Sequence, residues 1–215
     1  LDDAYLKSRA KLIDPNRATD FKAGAPDKGG TIYLTAADEN GMMVSFIQSN
    51  YMGFGSGMVA PGGISLQNRG AGFVLTDNHP NQVGPNKRPF HTIIPAFLTR
   101  DGKPQMSFGV MGGNMQPQGH IQTLIRMLDY KQNPQAACDG PRWRVAGAMA
   151  VNAEVTMRPA TLQALKDRGH DIATLNDPYM DFGSGQFAWR LEEEGRLTGY
   201  IAASDARKDG HAAGF

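Results

Sequence analysis

A single cysteine, Cys138, stands in the 215 residues, so no intrachain disulfide can form and the redox compartment stays undefined. No apolar run approaches the roughly 20 residues that a membrane-spanning helix needs, and no membrane span is expected. Charge is nearly balanced, with 22 basic and 21 acidic side chains for a net charge of +1. That balance supplies no electrostatic footprint for nucleic acid or an anionic lipid surface. No group of histidine, cysteine and acidic residues has metal-ligand spacing, so neither a structural metal nor a cofactor is expected. No internal repeat is evident. Hydrophobic residues at 40% and charged residues at 20% suit a soluble globular protein with one sizeable core or two small ones.

Glycine and proline are plentiful, at 26 and 13 residues. They fit a strand-rich fold with many tight turns, or a site lined by backbone. Residues 1–14 read as a helix ended by Asp14-Pro15. Residues 15–30 read as a polar linker open to cleavage. From Thr31 the pattern changes. Strands are expected at 31–37 and 42–49, joined through Asn40-Gly41, a strong hairpin signal. A glycine-rich loop covers 53–63, and short strands are expected at 72–76, 92–98 and 105–110. Ile121, Leu124, Ile125 and Leu128 share one helical face. Shorter helices are expected at 133–138 and at 159–168, the latter ending before Gly169. Strands return near 151–155, 171–175, 185–191 and 197–203. Two strand groups around a central helical group predict a layered α+β domain, not a Rossmann unit.

The segment Gly29-Gly30-Thr31-Ile32-Tyr33-Leu34-Thr35 carries the chemistry. Two glycines leave the Gly30 carbonyl sterically open, and a strand-like run begins at Thr31. This suits a chain that cuts its own Gly30–Thr31 bond and uses the new N-terminal threonine as nucleophile. A threonine hydroxyl is weak alone, and its own free α-amine can serve as base. Taken alone, the triplet also reads as a turn entering a strand.

Further motifs occur in order: Phe54-Gly55-Ser56-Gly57, Val83-Gly84-Pro85-Asn86-Lys87-Arg88-Pro89, Met111-Gly112-Gly113, Ala137-Cys138-Asp139-Gly140-Pro141-Arg142, and Ala203-Ser204-Asp205-Ala206-Arg207 before Ala213-Gly214-Phe215. From Thr31 to Phe215 the chain resembles the small catalytic subunit of the γ-glutamyltranspeptidase family. The resemblance implies an N-terminal-nucleophile hydrolase, a four-layered αββα sandwich of two stacked antiparallel sheets. It implies that 1–30 are the tail of a large subunit cut from the same precursor, and that 31–215 are the small subunit. That large subunit is the partner expected, and most of it is absent from this sequence. Leu1 is not an initiator methionine, no signal peptide is visible, and localisation signals would lie upstream. The compartment stays open between cytoplasm, slightly favoured, and periplasm.

By the same resemblance, Gly112 and Gly113 match the oxyanion-hole pair, where backbone N–H groups must approach substrate without a Cβ in the way. Ser49 matches a hydroxyl residue, usually threonine, that hydrogen-bonds the nucleophile's amine. Thr35 reads as structural, His120 as capping or packing, His79 as a loop residue, and Cys138 as buried.

The donor pocket departs from the family. An asparagine position is occupied by Tyr51. A Gln-x-x-Asp stretch reads Arg69-Gly70-Ala71-Gly72, and a serine pair reads His91-Thr92. Without the aspartate, a buried substrate ammonium would lack its counter-ion. Arg69 suits a substrate carboxylate, which a guanidinium can hold bidentately. His91 reads equally as a pocket residue and as packing. The pattern resembles the branch containing oxamate amidohydrolase-like and cephalosporin acylase-like proteins, as does Gly112-Gly113-Asn114-Met115-Gln116-Pro117-Gln118-Gly119-His120. The expected reaction is hydrolysis of a small carboxylate-bearing amide, with Tyr51, Arg69, His91 and Thr92 binding substrate. Two alternatives stand beside it: a γ-glutamyltransferase with an altered donor site, and an unprocessed precursor or non-catalytic fragment.

Overall fold

A computed structural model of the chain describes residues 3–12, 31–176 and 181–215. The chain divides into two compact units, Leu1–Gly30 and Thr31–Phe215. In the first, helix α1 spans Asp3–Ala10. The expected linker and Gly30 itself lie outside the described residues.

The second unit opens with a two-stranded antiparallel ribbon, β1 (Ile32–Ala37) and β2 (Met43–Gln48), in the register Ile32 to Gln48 and Ala37 to Met43. The turn between them is built by Asp38, whose Oδ1 accepts from the N–H groups of Asn40 and Met42, both at 2.9 Å. The glycine-rich loop holds two short strands, β3 (Val59–Ala60) and β4 (Ile64–Ser65), which the sequence did not signal. A four-stranded sheet follows from β5 (Ala96–Arg100) and β6 (Lys103–Met111). It is completed by β10 (Ser184–Glu193) and β11 (Arg196–Ser204), in the order β11-β10-β6-β5. Every pairing in it is antiparallel.

Between β6 and β10 lie helices α2 (Gln116–Leu128) and α3 (Pro134–Asp139). A three-stranded sheet of β7 (Trp143–Val145), β8 (Ala150–Glu154) and β9 (Asp171–Leu175) comes next, with α4 (Pro159–Asp167) bridging the last two. Its parallel β8–β9 pair needs such a crossover helix.

Strand β6 shows why the layers stack as they do. Alternate residues of a strand point to opposite faces. Met106, Phe108 and Val110 cluster with Met127 of α2, Ala137 and Cys138 of α3, and Phe187 and Ala203 of the neighbouring strands. The intervening Ser107 and Gly109 face the ribbon. Thr35 and Ser107 share a hydroxyl–hydroxyl hydrogen bond. A Cβ on Gly109 would lie 2.8 Å from the Tyr33 ring and 2.6 Å from Ile94, so a side chain there would displace both. The layers run ribbon, sheet, helices, with hydrocarbon below the sheet and hydroxyl groups above it.

Three expectations are corrected. Residues 72–76 form no strand; a 3-10 turn, Arg69–Gly72, and one isolated bridge between Val74 and Gln82 stand there. The Asn81 side chain takes the local backbone partners instead, donating to the Gly72 carbonyl and accepting from Phe90 N–H. The strand expected from 92 starts at Ala96, because Pro95 has no N–H to enter a ladder. The central helix, which His120 was expected to open, starts four residues earlier at Gln116, with Pro117 in its first turn, where a missing N–H costs nothing.

Candidate active site

Strand parity places the nucleophile candidate. Tyr33 and Thr35 point inward from β1, and so does Thr31, one step before the strand begins. Its hydroxyl donates to Ser49 Oγ at 3.0 Å, just past the end of the partner strand. Ser49 Oγ also accepts from the Tyr51 N–H at 3.0 Å. Tyr51 holds the left-handed conformation, φ 76°, and that turn brings its amide back onto Ser49. Ser49 keeps its own hydroxyl proton to donate.

Arg69 fastens the same turn from outside. Its Nη1 donates to the Ser49 carbonyl at 3.1 Å, and its guanidinium carbon lies 5.8 Å from the centre of the Tyr51 ring. The contact is a cation–π arrangement at a half-buried position. One guanidinium thereby holds both the backbone behind Ser49 and the ring at the pocket edge.

The opposite wall is the turn between β6 and α2. Gly112 and Gly113 have φ values of 149° and 59°, conformations that side chains rarely adopt. The Thr92 hydroxyl donates to the Gly113 carbonyl at 2.8 Å. These walls enclose a cleft of about 490 Å³ lined by Thr31, Ser49, Tyr51, Arg69, His91, Thr92, Gly112 and Gly113, together with Met52, Gly72, Phe90, Ile93, Asn114 and Gln116. The eight residues singled out from sequence as catalytic or substrate-binding candidates therefore meet in one place. The ninth position, Gly30, is outside the described residues.

Individual roles are refined by the contacts. His91 accepts from the Ile93 N–H through Nδ1 at 3.3 Å. The Thr92 hydroxyl is engaged by the wall of the cleft. A Cβ on Gly72 would stand 3.0 Å from the Phe90 carbonyl oxygen, leaving no easy room there for an acidic side chain. His120 lies behind the site: its Nε2 accepts from the Val110 N–H at 2.9 Å, past the last rung β5 offers to β6. Burial, with Arg142 nearby, lowers its pKa to about 4. Among the described residues no cluster of histidine, cysteine and acidic groups is arranged to hold a metal.

Sequence reasoning missed two features. Gln116, buried at the cleft floor, drew attention only as part of a longer stretch. A buried ionic network was missed altogether. Arg142, at 1% exposure, donates to Asp205 at 2.7 Å and to the carbonyls of Phe182 and Gly183 at 3.0 and 3.1 Å. Arg207 joins Asp205 to Glu154. Burial opposes ionisation of Asp205, but Arg142, Arg207 and two backbone N–H groups outweigh it and hold its pKa below the ordinary carboxylate value. Gly183, held by Arg142, packs directly on Gly112, where a Cβ would come within 2.8 Å of its Cα. Asp205 and Arg207 stand together in one of the quoted motifs, but their pairing with Arg142 and Glu154, 63 and 53 residues away, carries no local signal.

Comparison with known proteins agrees with this geometry. The sequence pattern described as gamma-glutamyltranspeptidase matches residues 1–215. The glutathione hydrolase-like YwrD proenzyme of Bacillus subtilis (strain 168) is 41% identical over 221 residues, covering all of this chain and 41% of that protein. The oxamate amidohydrolase proenzyme of Klebsiella pneumoniae is 35% identical over 216 residues, covering 98% of this chain and 40% of that protein. The crystal structure of cephalosporin acylase from Bacillus halodurans matches with a TM-score of 0.76 and 47% identity, over 99% of this chain and 38% of that one. The chain thus spans about two-fifths of the length of the relatives it matches. Its α+β layers are those of the N-terminal-nucleophile hydrolase sandwich. With that fold, the cleft between ribbon and turn, and a match over its whole length, the chain belongs to the gamma-glutamyltranspeptidase family.

Proposed function

We propose that this chain carries the nucleophilic part of an amidohydrolase that matures by cutting its own Gly30–Thr31 bond. The observation that carries the reading is the Thr31–Ser49 hydroxyl contact at 3.0 Å, in a cleft whose far wall is the Gly112–Gly113 turn. In the precursor, Thr31 Oγ attacks the Gly30 carbonyl, the acyl group shifts from nitrogen to oxygen, and water hydrolyses the ester. The released α-amine then takes the Thr31 hydroxyl proton as Oγ attacks a substrate amide. A tetrahedral oxyanion forms, the amine leaves, and water hydrolyses the acyl-enzyme.

The Gly112–Gly113 turn faces the developing oxyanion with backbone rather than side chains. Helix α2 begins immediately behind it, and the positive end of its dipole favours negative charge at this point. Ser49 orients Thr31 and, after cleavage, its amine. Arg69 and the absence of an acid at Gly72 favour a substrate with a carboxylate and no α-ammonium. The rest of the precursor supplies the missing part of the pocket and is the obligatory partner.

The test is the intact mass of the complete precursor, wild type beside Thr31→Ala. Scission at Gly30–Thr31 in wild type alone is the expected result; intact mass in both overturns the reading. Substrate class is tested with glutaryl-p-nitroanilide against γ-glutamyl-p-nitroanilide, and preference for the γ-glutamyl compound overturns the carboxylate assignment.

A further inference from the structure

Gln116 has no role in the reaction outlined above, yet it is the most constrained polar side chain in the cleft. It is 5% exposed and lies at the first position of α2. Its amide satisfies its neighbours in one orientation. Nε2 donates to the Thr92 carbonyl at 2.5 Å, and Oε1 accepts from the Gly113 N–H at 3.2 Å. Its backbone N–H donates to the Gly113 carbonyl, which also accepts the Thr92 hydroxyl. Both polar groups of Gly113 are therefore held by Gln116, and the loop carrying Thr92 is tied to the same residue.

We infer that Gln116 is the positioning residue of the oxyanion site: a buried amide that sets the orientation of the Gly113 peptide and fastens it to the Thr92 loop. This rests on the reading of Gly112–Gly113 as the oxyanion wall. A glycine at φ 59° has no side chain to fix its own plane, so its N–H direction must be set from outside. A planar amide is suited to that task, since it offers one acceptor to the N–H and one donor to the facing carbonyl. A hydrocarbon of equal volume would leave both unpaired in a buried place. The Gly113 N–H carries the Gln116 oxygen in the unliganded cleft, so an arriving acyl oxygen shares that N–H in a three-centre hydrogen bond while Gln116 still holds its direction.

Two variants of the full-length processed enzyme test this. Gln116→Met keeps the volume and removes both hydrogen bonds. The kcat for glutaryl-p-nitroanilide should fall about 10- to 100-fold, with KM changed by no more than about threefold, since oxyanion donors act in the transition state. Gln116→Glu is the sharper probe. A neutral carboxyl group reproduces the amide, with its carbonyl accepting from Gly113 and its O–H donating to Thr92. Once ionised, it sets an oxygen against the Thr92 carbonyl and a charge beside the oxyanion.

The ratio of Gln116→Glu to wild-type kcat should therefore recover on acidification between about pH 8 and about pH 4, across the carboxyl range. The charged or titratable groups that share this lining are Tyr51, Arg69, His91 and the Thr31 α-amine, and they are present equally in the wild-type control. A flat ratio, or an effect confined to KM, overturns the inference. If wild type self-cleaves but leaves the anilide untouched, the substrate reading fails by itself. Hydrogen exchange at the Gly113 amide then decides: lost protection in Gln116→Met upholds the inference, and unchanged protection overturns it. If wild type does not self-cleave, the nucleophile reading has failed, and the same exchange measurement on the precursor judges Gln116.

Discussion

At the scale of residues, the candidate site is a set of hydroxyl and backbone groups whose relative positions support the proposed chemistry. Ser49→Ala removes the one acceptor seen for the Thr31 hydroxyl. Losing a hydrogen bond between neutral groups is worth about 0.5–1.5 kcal/mol, so kcat should fall roughly 2- to 10-fold while the fold is unaffected. Steady-state kinetics beside a thermal melt checks both halves. Arg69→Gln should raise KM for a carboxylate-bearing amide about 10- to 100-fold and abolish the preference over a neutral analogue. An unchanged preference would mean that Arg69 serves only to brace Ser49 and Tyr51. Thr31 stood out through its Gly-Gly-Thr setting, and Ser49 and the glycine pair through the family resemblance; the folded chain brings all four to one cleft. Gln116 did not stand out, because its meaning comes from a loop that reaches it only in the folded chain.

Among the elements, β6 organises the molecule and the sequence revealed it only partly. Its alternating Met106, Phe108 and Val110 were readable as a strand. The use of its other face by Tyr33 and Thr35 was not, since hydroxyl contacts between layers leave no periodic trace. Where β5 stops pairing, His120 takes over as acceptor for β6. Its folded pKa of about 4 lies below the ordinary 6.5. The unfolded chain therefore binds the extra proton, and the stabilisation is complete above about pH 6.5 and lost progressively towards pH 4, about 3 kcal/mol in all. Urea titrations across that range should show the loss in wild type and a much shallower slope in His120→Gln. Equal slopes would remove His120 as the cause. The Asp205 network is lost only in more acid conditions, because its carboxyl is held below the ordinary carboxylate range. Asp205→Asn leaves Arg142 buried without a counter-charge and should cost about 3–5 kcal/mol, read from denaturant midpoints.

Across the whole molecule, the ribbon presents an uncovered apolar face. Ile32, Leu34, Val44 and Phe46 point away from the sheet and are 44–69% exposed. The chain spans about two-fifths of its relatives, and we propose this face as the seat for the remainder of the precursor. Phe46→Glu should therefore impair recovery of an assembled, processed enzyme while leaving the cleft residues in place; normal assembly would assign the face elsewhere. Fold class was legible because strand, turn and helix signals agreed along the chain. The layer order was not, because it depends on which face of β6 each partner takes. The inward hydroxyls of Thr31, Tyr33 and Thr35 have one more implication. They make the address of the proposed nucleophile a matter of odd and even. One residue inserted between Thr31 and Tyr33 turns the hydroxyl to the outer face, whereas two inserted residues restore its side but carry it about 7 Å along the strand, out of reach of Ser49.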